Sequence, residues 1–148
     1  MSRAAIVGAV GLIAIVGSVR CRAGSAHAEP RITDAVLGED REEKASGFEI
    51  VRKTTEFHPD SPKIVCVFKV EGASVGTSVR GVWIAEDVGP VAPPNYKIDE
   101  RTLTLPYLNS GSMLITRPNS GWPVGSYRLE IYFGTTLGKT LKFTVTAG

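Results

Sequence analysis

Apolar residues recur with a period of two through the C-terminal two-thirds of the chain. In the segment 63–70, Ile64, Cys66, Phe68 and Val70 share one face. Because successive side chains of a β-strand point to opposite faces of its sheet, this pattern predicts a strand with one buried face. The same reasoning predicts further strands, some of them weaker: Val79–Ala85, Tyr96–Ile98, Thr102–Leu105, Ser112–Thr116, Tyr127–Phe133 and Lys139–Thr146.

The segments between these runs are punctuated by turn formers. Gly89–Pro94 is a proline-rich loop, and Gly134–Gly138 is a glycine-containing turn that joins the last two strands as a hairpin. Before residue 63, we expect a strand at Ile32–Leu37 and a weaker one within Gly47–Phe57. The mixed charges of Glu39–Lys44 predict a solvated loop or a short helical turn.

Seven or eight short strands without a helical period predict an all-β protein, an antiparallel sandwich or small barrel. After residue 28 about 120 residues remain, enough for one domain. We expect residues 29–62 to supply N-terminal strands and loops, and residues 63–148 to form the sandwich core. The predicted core side chains are Ile64, Phe68, Trp83, Leu129, Ile131, Phe143 and Val145. Such a core reaches the ordinary stability of a domain without a disulfide or metal.

Three residues give the chain a resemblance to immunoglobulin-like sandwiches. Cys66 lies on one strong strand, Trp83 on the next, and Tyr127 opens the penultimate strand. This arrangement is similar to the strand B cysteine, the strand C tryptophan and the tyrosine corner of those domains. Leu129 stands where their second cysteine would be. The resemblance therefore implies an apolar contact between Cys66 and Leu129 in place of a disulfide.

The resemblance is to the immunoglobulin-like and fibronectin type III-like modules of exported bacterial proteins. It extends over residues 63–145 and concerns architecture, so it carries no functional site with it.

Residues 1–28 read as a signal peptide that includes a helical apolar segment. Arg3 precedes an uncharged apolar run of 16 residues at 4–19, and Ala26-His27-Ala28 is a small-x-small cleavage pattern. A membrane-spanning helix needs roughly 20 residues. We therefore predict cleavage before Glu29 and a periplasmic or extracellular protein.

An uncleaved membrane anchor at residues 4–19 is the alternative. Arg20 and Arg22 follow the apolar run directly, and positive charge at that position opposes export of the following chain. Apart from such an anchor, the sequence predicts no contact with a membrane.

Net charge argues against a nucleic-acid partner. The chain has 17 basic and 15 acidic residues. Residues 1–28 hold three of the arginines and no acid, so the remainder has 14 basic against 15 acidic residues, a net charge of −1. No basic stripe is left to follow a phosphate backbone.

The sequence offers no convincing catalytic, cofactor or metal site. After residue 28 there is one histidine, His58, and one cysteine, Cys66. A zinc site needs three or four ligands, mostly cysteine and histidine. His58 lies in a turn-forming segment, and Cys66 lies between valines on a predicted strand, where burial makes a thiol inert. We therefore predict no enzyme activity and no cofactor.

Three aromatic residues are the candidate partner-binding residues: Tyr96, Tyr107 and Trp122. Each lies in a loop-like segment beside a proline, and the end loops of a sandwich are where such folds bind partners. Tyr and Trp anchor protein interfaces, and sugars stack on the same rings. The alternative is that Trp122 folds back to close one end of the sandwich and that the tyrosines cover loop backbone.

The sequence thus predicts an exported, non-catalytic module that binds another envelope or secreted protein or has a structural role in the envelope. A carbohydrate-binding or protease-inhibitory module that uses the loop aromatics is the alternative.

Overall fold

The computed structural model describes residues 29–107 and 109–148. Within these residues the chain forms nine β-strands: β1 Arg31–Lys44, β2 Gly47–Lys53, β3 Glu56–Phe57, β4 Lys63–Glu71, β5 Ser78–Asp87, β6 Tyr96–Thr104, β7 Ser110–Thr116, β8 Gly125–Phe133 and β9 Thr136–Val145. One 3₁₀ turn, Gly89–Val91, interrupts the loop between β5 and β6. Across the same residues, no helix has the length and hydropathy needed to cross a bilayer. The predicted signal peptide lies outside them.

The strands form two sheets. One has the order β2-β1-β4-β7, and the other has the order β3-β9-β8-β5-β6. All neighbours are antiparallel except β3, which runs parallel to β9. The predicted all-β sandwich is confirmed, with nine strands rather than seven or eight.

One apolar core fills the space between the sheets. On β4 the inward residues are those that the alternation predicted, from Ile64 to Val70, and on β5 they include Val79, Trp83 and Ala85. All seven predicted core residues belong to it. Cys66 and Leu129 are both fully buried in this core, one on each sheet. The core therefore bridges the sheets at the position where a disulfide would stand in an antibody domain.

Two sequence-based predictions of local structure are wrong. Glu39–Lys44 is strand rather than a loop or helical turn, because it pairs along its length with β2. Its charges are accommodated on an exposed ribbon by partners across the hairpin, as in the ion pairs Arg52–Glu39 and Lys44–Glu49. Residues 96–104 form one strand rather than two, because main-chain pairing with β5 continues through the polar middle, with a register shift at Ile98.

The final turn is tighter than predicted. Phe133 pairs with Thr136, so two residues, Gly134 and Thr135, connect β8 to β9. Gly134 has φ 59°, the positive value that a glycine at the first central position of a two-residue hairpin supplies. From this turn β8 and β9 pair as far as Gly125↔Val145, with one register shift between Ile131 and Tyr132.

The β1–β2 hairpin folds back over the outer face of its sheet. Strand β1 pairs with β4 as far as Gly38↔Val65, and from Gly38 onward it pairs with β2. The hairpin tip then reaches Ser110, whose Oγ accepts a hydrogen bond from the Phe48 amide at 3.4 Å. Ser110 pairs with Lys69, so the hairpin runs back along β4.

This hairpin explains why two outward residues of β4 are buried. Val65 and Val67 alternate with the core residues of β4, yet they are 0% and 5% exposed. Phe48 and Ile50 of β2 lie beside Val67. The four-stranded sheet is thus covered by the core on one face and by its own hairpin on the other.

Candidate functional site

Trp122 is fixed in the loop between β7 and β8 by two hydrogen bonds. Its amide donates to the Pro59 carbonyl at 2.9 Å, and its indole Nε1–H donates to the Ser61 carbonyl at 2.7 Å. The side chain is 3% exposed. Buried indole groups need an acceptor for the N–H, and the turn that precedes β4 supplies it. Trp122 therefore closes this end of the sandwich and does not project from it.

Tyr127 holds the same loop from the other side. Its hydroxyl donates to the Pro123 carbonyl, four residues upstream, and its ring stacks on Phe143 with centroids 5.2 Å apart. Burial raises the pKa of Tyr127 to about 12, so the hydroxyl stays protonated and remains a donor. This is the geometry of a tyrosine corner.

The loop between β5 and β6 forms the opposite wall. The 3₁₀ turn is followed by Asn95, which has φ 56° and donates its amide to the Glu86 carbonyl at 3.0 Å. Its side-chain Oδ1 accepts a hydrogen bond from Arg128 at 2.7 Å. Asparagine tolerates this left-handed conformation better than most residues. The constrained turn places Tyr96, which is 52% exposed, at the rim.

These two loops enclose an apolar cleft of about 300 Å³. None of its eleven lining residues is charged. They are aliphatic, proline and aromatic residues, among them Val88, Val91, Pro93, Tyr96, Pro118 and Trp122. We call this feature the end cleft. Its chemistry suits an apolar group that displaces water and needs few hydrogen bonds.

Exposed apolar residues gather around the end cleft. Val91 is 65% exposed on one loop, and Val124 is 53% exposed on the other, beside the lining residue Pro123. With Tyr96, they give this end of the sandwich an exposed apolar patch of the kind that marks interaction sites.

Tyr107 lies at the other end of the sandwich. Its ring meets Phe48 edge-on with centroids 5.6 Å apart, and its hydroxyl donates to Glu43 Oε1 at 2.8 Å. That hydrogen bond, and then burial, raise the pKa of Tyr107 above its usual value. Tyr107 therefore ties the tip of the β1–β2 hairpin to the segment before β7. Of the three candidate aromatics, the structure brings together Tyr96 and Trp122.

His58 and Cys66 are far from forming a reactive pair. His58 is exposed in the turn before β4, where its Nδ1 accepts a hydrogen bond from the Asp60 amide at 3.1 Å. Cys66 is fully buried, and burial, followed by the nearby charge of Asp34, raises the pKa of its thiol to about 12. Residues 29–107 and 109–148 hold no cluster of three or more side chains that could ligate a metal.

Comparison with solved structures shows the fold. An immunoglobulin-like protein from Pseudomonas aeruginosa is similar over 82% of this chain and 100% of its own length, with a TM-score of 0.53 and 21% identity. The chain has an immunoglobulin-like fold. No model of a protein family matches the sequence, and no curated protein matches it.

Two larger enzymes contain a region of weaker similarity. A GH3 β-glucosidase from Bifidobacterium adolescentis matches 78% of this chain, with a TM-score of 0.41 and 11% identity. A β-D-glucoside glucohydrolase from Trichoderma reesei matches 79%, with a TM-score of 0.43 and 13% identity. The chain spans 17% and 19% of their lengths, respectively. These similarities carry no argument about activity.

Sequence reasoning missed the aliphatic half of the end cleft. Val91 and Pro93 belong to the proline-rich segment that we predicted only as a loop, and Val124 stands two residues after Trp122, beside the lining residue Pro123. Valines exposed within loops rich in proline were the available signal. These two loops are neighbours because of the order of strands in the sheet, and no local sequence pattern predicts that order.

Proposed function

We propose that this chain is an exported, non-catalytic immunoglobulin-like module that binds another envelope or secreted protein through the end cleft. The observation that carries the proposal is the apolar surface formed where Val91 and Tyr96 border a cleft without charged lining, with Val124 exposed beside the lining residue Pro123. Moving such an apolar surface from water into contact with a partner lowers the free energy. The occupant is an apolar side chain or a proline of the partner.

The rigidity of the two walls supports binding. Hydrogen bonds from Trp122 and Tyr127 fix one loop, and those made by Asn95 fix the other. The site is therefore already formed before a partner binds, and binding does not have to order the two loops. Pre-organisation of this kind lowers the entropic cost of association.

A carbohydrate is the second candidate, because Tyr96 offers a half-exposed ring on which a sugar could stack. Sugar sites, however, also use polar groups to bind hydroxyls, and the end-cleft lining is mainly apolar. A protease-inhibitory loop has less support. Such a loop is extended, whereas Gly89–Val91 is wound into a 3₁₀ turn.

The proposal is tested by site-specific photocrosslinking in cells that produce the full chain. A benzophenone amino acid replaces Tyr96 in one variant and Val75 in a matched control. Val75 is 90% exposed and lies in the β4–β5 loop, at the other end of β5 from the cleft. We expect one reproducible protein adduct from position 96 and none from position 75.

Competition shows whether the adduct forms with a protein bound at the end cleft. An excess of unmodified protein should abolish the adduct, whereas an excess of the Val91→Glu variant, checked for an unchanged melting temperature, should leave it. Equal adducts from both positions, or no adduct from position 96, would overturn the proposal. Binding to a glycan array that is lost in Tyr96→Ala would favour the carbohydrate alternative.

A further inference from the structure

Strand β7 is an edge strand without the usual protection. It is the last strand of the four-stranded sheet, and its sequence, Ser-Gly-Ser-Met-Leu-Ile-Thr, contains no charged residue and no proline. The neighbouring edge strand β6 carries Lys97, Asp99, Glu100 and Arg101. Soluble proteins normally place charges or prolines on edge strands, because an unprotected edge pairs with other chains.

The register shows which main-chain groups of β7 are open. The Val70 amide donates to the Asn109 carbonyl, and the Arg117 amide donates to the Pro62 carbonyl, both at 2.9 Å. Hydrogen-bonded pairs alternate along an antiparallel ladder, so the odd-numbered residues of β7 bond to β4. The N–H and C=O groups of Ser112, Leu114 and Thr116 therefore point away from the sheet.

A groove of about 360 Å³ runs beside this open edge, between β7 and β6. Ser112 lines it and is only 9% exposed, and its Oγ is buried without a hydrogen-bond partner. A buried hydroxyl without a partner costs free energy. A threonine or serine directly opposite, on an added strand, would supply the missing hydrogen bond.

The charge beside the groove is positive. Arg41 lines it, with its guanidinium carbon 4.8 Å from the centroid of the Phe48 ring. The adjacent carboxylate, Asp40, is paired with Lys63 at 2.7 Å, and the other two charged groups of the groove, Asp99 and Arg101, pair with each other at 3.1 Å. Among the ion pairs of the part of the chain that the structure describes, Arg41 has none. The groove thus favours a carboxylate.

We infer that β7 binds an extended segment of another polypeptide, which adds a strand to the four-stranded sheet and places an Asp or Glu beside Arg41. Main-chain hydrogen bonds to Ser112, Leu114 and Thr116 supply the affinity, and Ser112 Oγ and Arg41 supply the sequence preference. This edge is separate from the end cleft and shares no lining residue with it.

The test uses the purified full chain and two fluorescent nine-residue peptides of alternating valine and threonine. One peptide has a central aspartate, and the other has asparagine at the same position. We expect the aspartate peptide to bind and the asparagine peptide to bind about fivefold more weakly. In Arg41→Gln that preference should disappear, while in Arg31→Gln, an exposed arginine that pairs with Glu71 outside the groove, it should remain.

Amide hydrogen exchange locates the bound strand in the unmodified protein. Without peptide, the amides of Ser112 and Leu114 should exchange quickly, and those of Met113 and Ile115, which bond to β4, should exchange slowly. Saturating aspartate peptide should slow the exchange of Ser112 and Leu114 by about tenfold or more.

An edge proline tests the same contact independently. Leu114→Pro removes an open N–H and leaves the bonds to β4 in place, so it should abolish peptide binding. Thr104→Pro is the matched control, because the pairing of Leu105 with Thr77 places the Thr104 amide on the open side of β6, outside the groove.

Three results would overturn the inference. The first is equal affinity for the two peptides, and the second is peptide binding without slower exchange at Ser112 and Leu114. The third is protection of these amides that grows with protein concentration in the absence of peptide, since this would show that a second copy of the chain occupies the edge.

Discussion

Two aromatic side chains shape the end cleft through their polar atoms. The Tyr127 hydroxyl and the Trp122 indole N–H each donate to a main-chain carbonyl, of Pro123 and Ser61 respectively. Their rings are buried, so each residue contributes apolar area to the core and also fixes a loop. A substitution that removes only the donor atom, such as tyrosine to phenylalanine, therefore tests the hydrogen bond and leaves the ring packing in place.

Tyr127→Phe removes one such atom. We expect the free energy of unfolding to fall by about 1 kcal/mol, because the Pro123 carbonyl loses its donor. Denaturant unfolding measures this change. Tyr132→Phe is the control, since Tyr132 is only half-buried and its hydroxyl donates only to Glu130 at 3.2 Å, so its loss should change stability little. Equal stability of Tyr127→Phe and the unmodified protein would show that the hydrogen bond from Tyr127 does not stabilise the fold.

Alkaline pH offers a second test of Tyr127. Its pKa rises from 10.0 to about 12 on burial, so the unfolded chain releases this proton first. The stabilisation is present below pH 10 and is lost as the pH rises from 10 to about 12. The stability difference between the unmodified protein and Tyr127→Phe should therefore narrow over that range. A constant difference would contradict the shifted pKa.

At the scale of elements, the β1–β2 hairpin shapes the four-stranded sheet that carries β7. It covers the outward valines of β4 and brings Arg41 to the edge groove. The fold-back occurs at Gly38, where β1 exchanges one partner strand for another. Here the chain packs so closely on β2 that a side chain has no space.

Gly38→Ala tests this close approach. A Cβ at this position would lie 2.5 Å from Ile50 Cγ1 and 3.0 Å from the carbonyl oxygens of Val51 and Arg52. We expect a loss of roughly 1–3 kcal/mol, because the hairpin must move away from its packed position. Thermal unfolding measures it, with Gly148→Ala as the control, since nothing lies within 4 Å of that position. An unchanged melting temperature would show that the hairpin adjusts freely.

At the scale of the whole molecule, the sandwich has two proposed binding surfaces. The end cleft and the β7 edge draw on different strands and loops, so one domain of this size can hold two partners or two parts of one partner. The predicted export of the chain rests on residues 1–28, which lie outside the described part of the chain.

The mature N-terminus is a direct test of the predicted leader. Mass spectrometry of protein recovered outside the cytoplasm should find Glu29 as its first residue, because the cleavage pattern ends at Ala28. Replacing Ala26 and Ala28 with larger residues should retain the precursor in the membrane fraction. An intact N-terminus in the unmodified protein would instead support the anchor at residues 4–19.

The sequence by itself determined the sandwich and its core. Alternation on β4, β5, β8 and β9 identified the inward residues, because burial of one sheet face leaves a period of two in the chain. It failed for Glu39–Lys44 and for the middle of β6, since these segments carry no apolar side chains that mark a buried face. Their strand structure comes from main-chain pairing with β2 and β5, respectively.

Only the tertiary structure decided where the binding surfaces lie. Tyr96 and Trp122 meet, and Tyr107 does not join them, because the order of strands in the two sheets sets which loops are neighbours. The open edge of β7 follows from the same order. Local residue patterns report burial and turns, whereas the meeting of distant loops and the choice of edge strand depend on long-range packing.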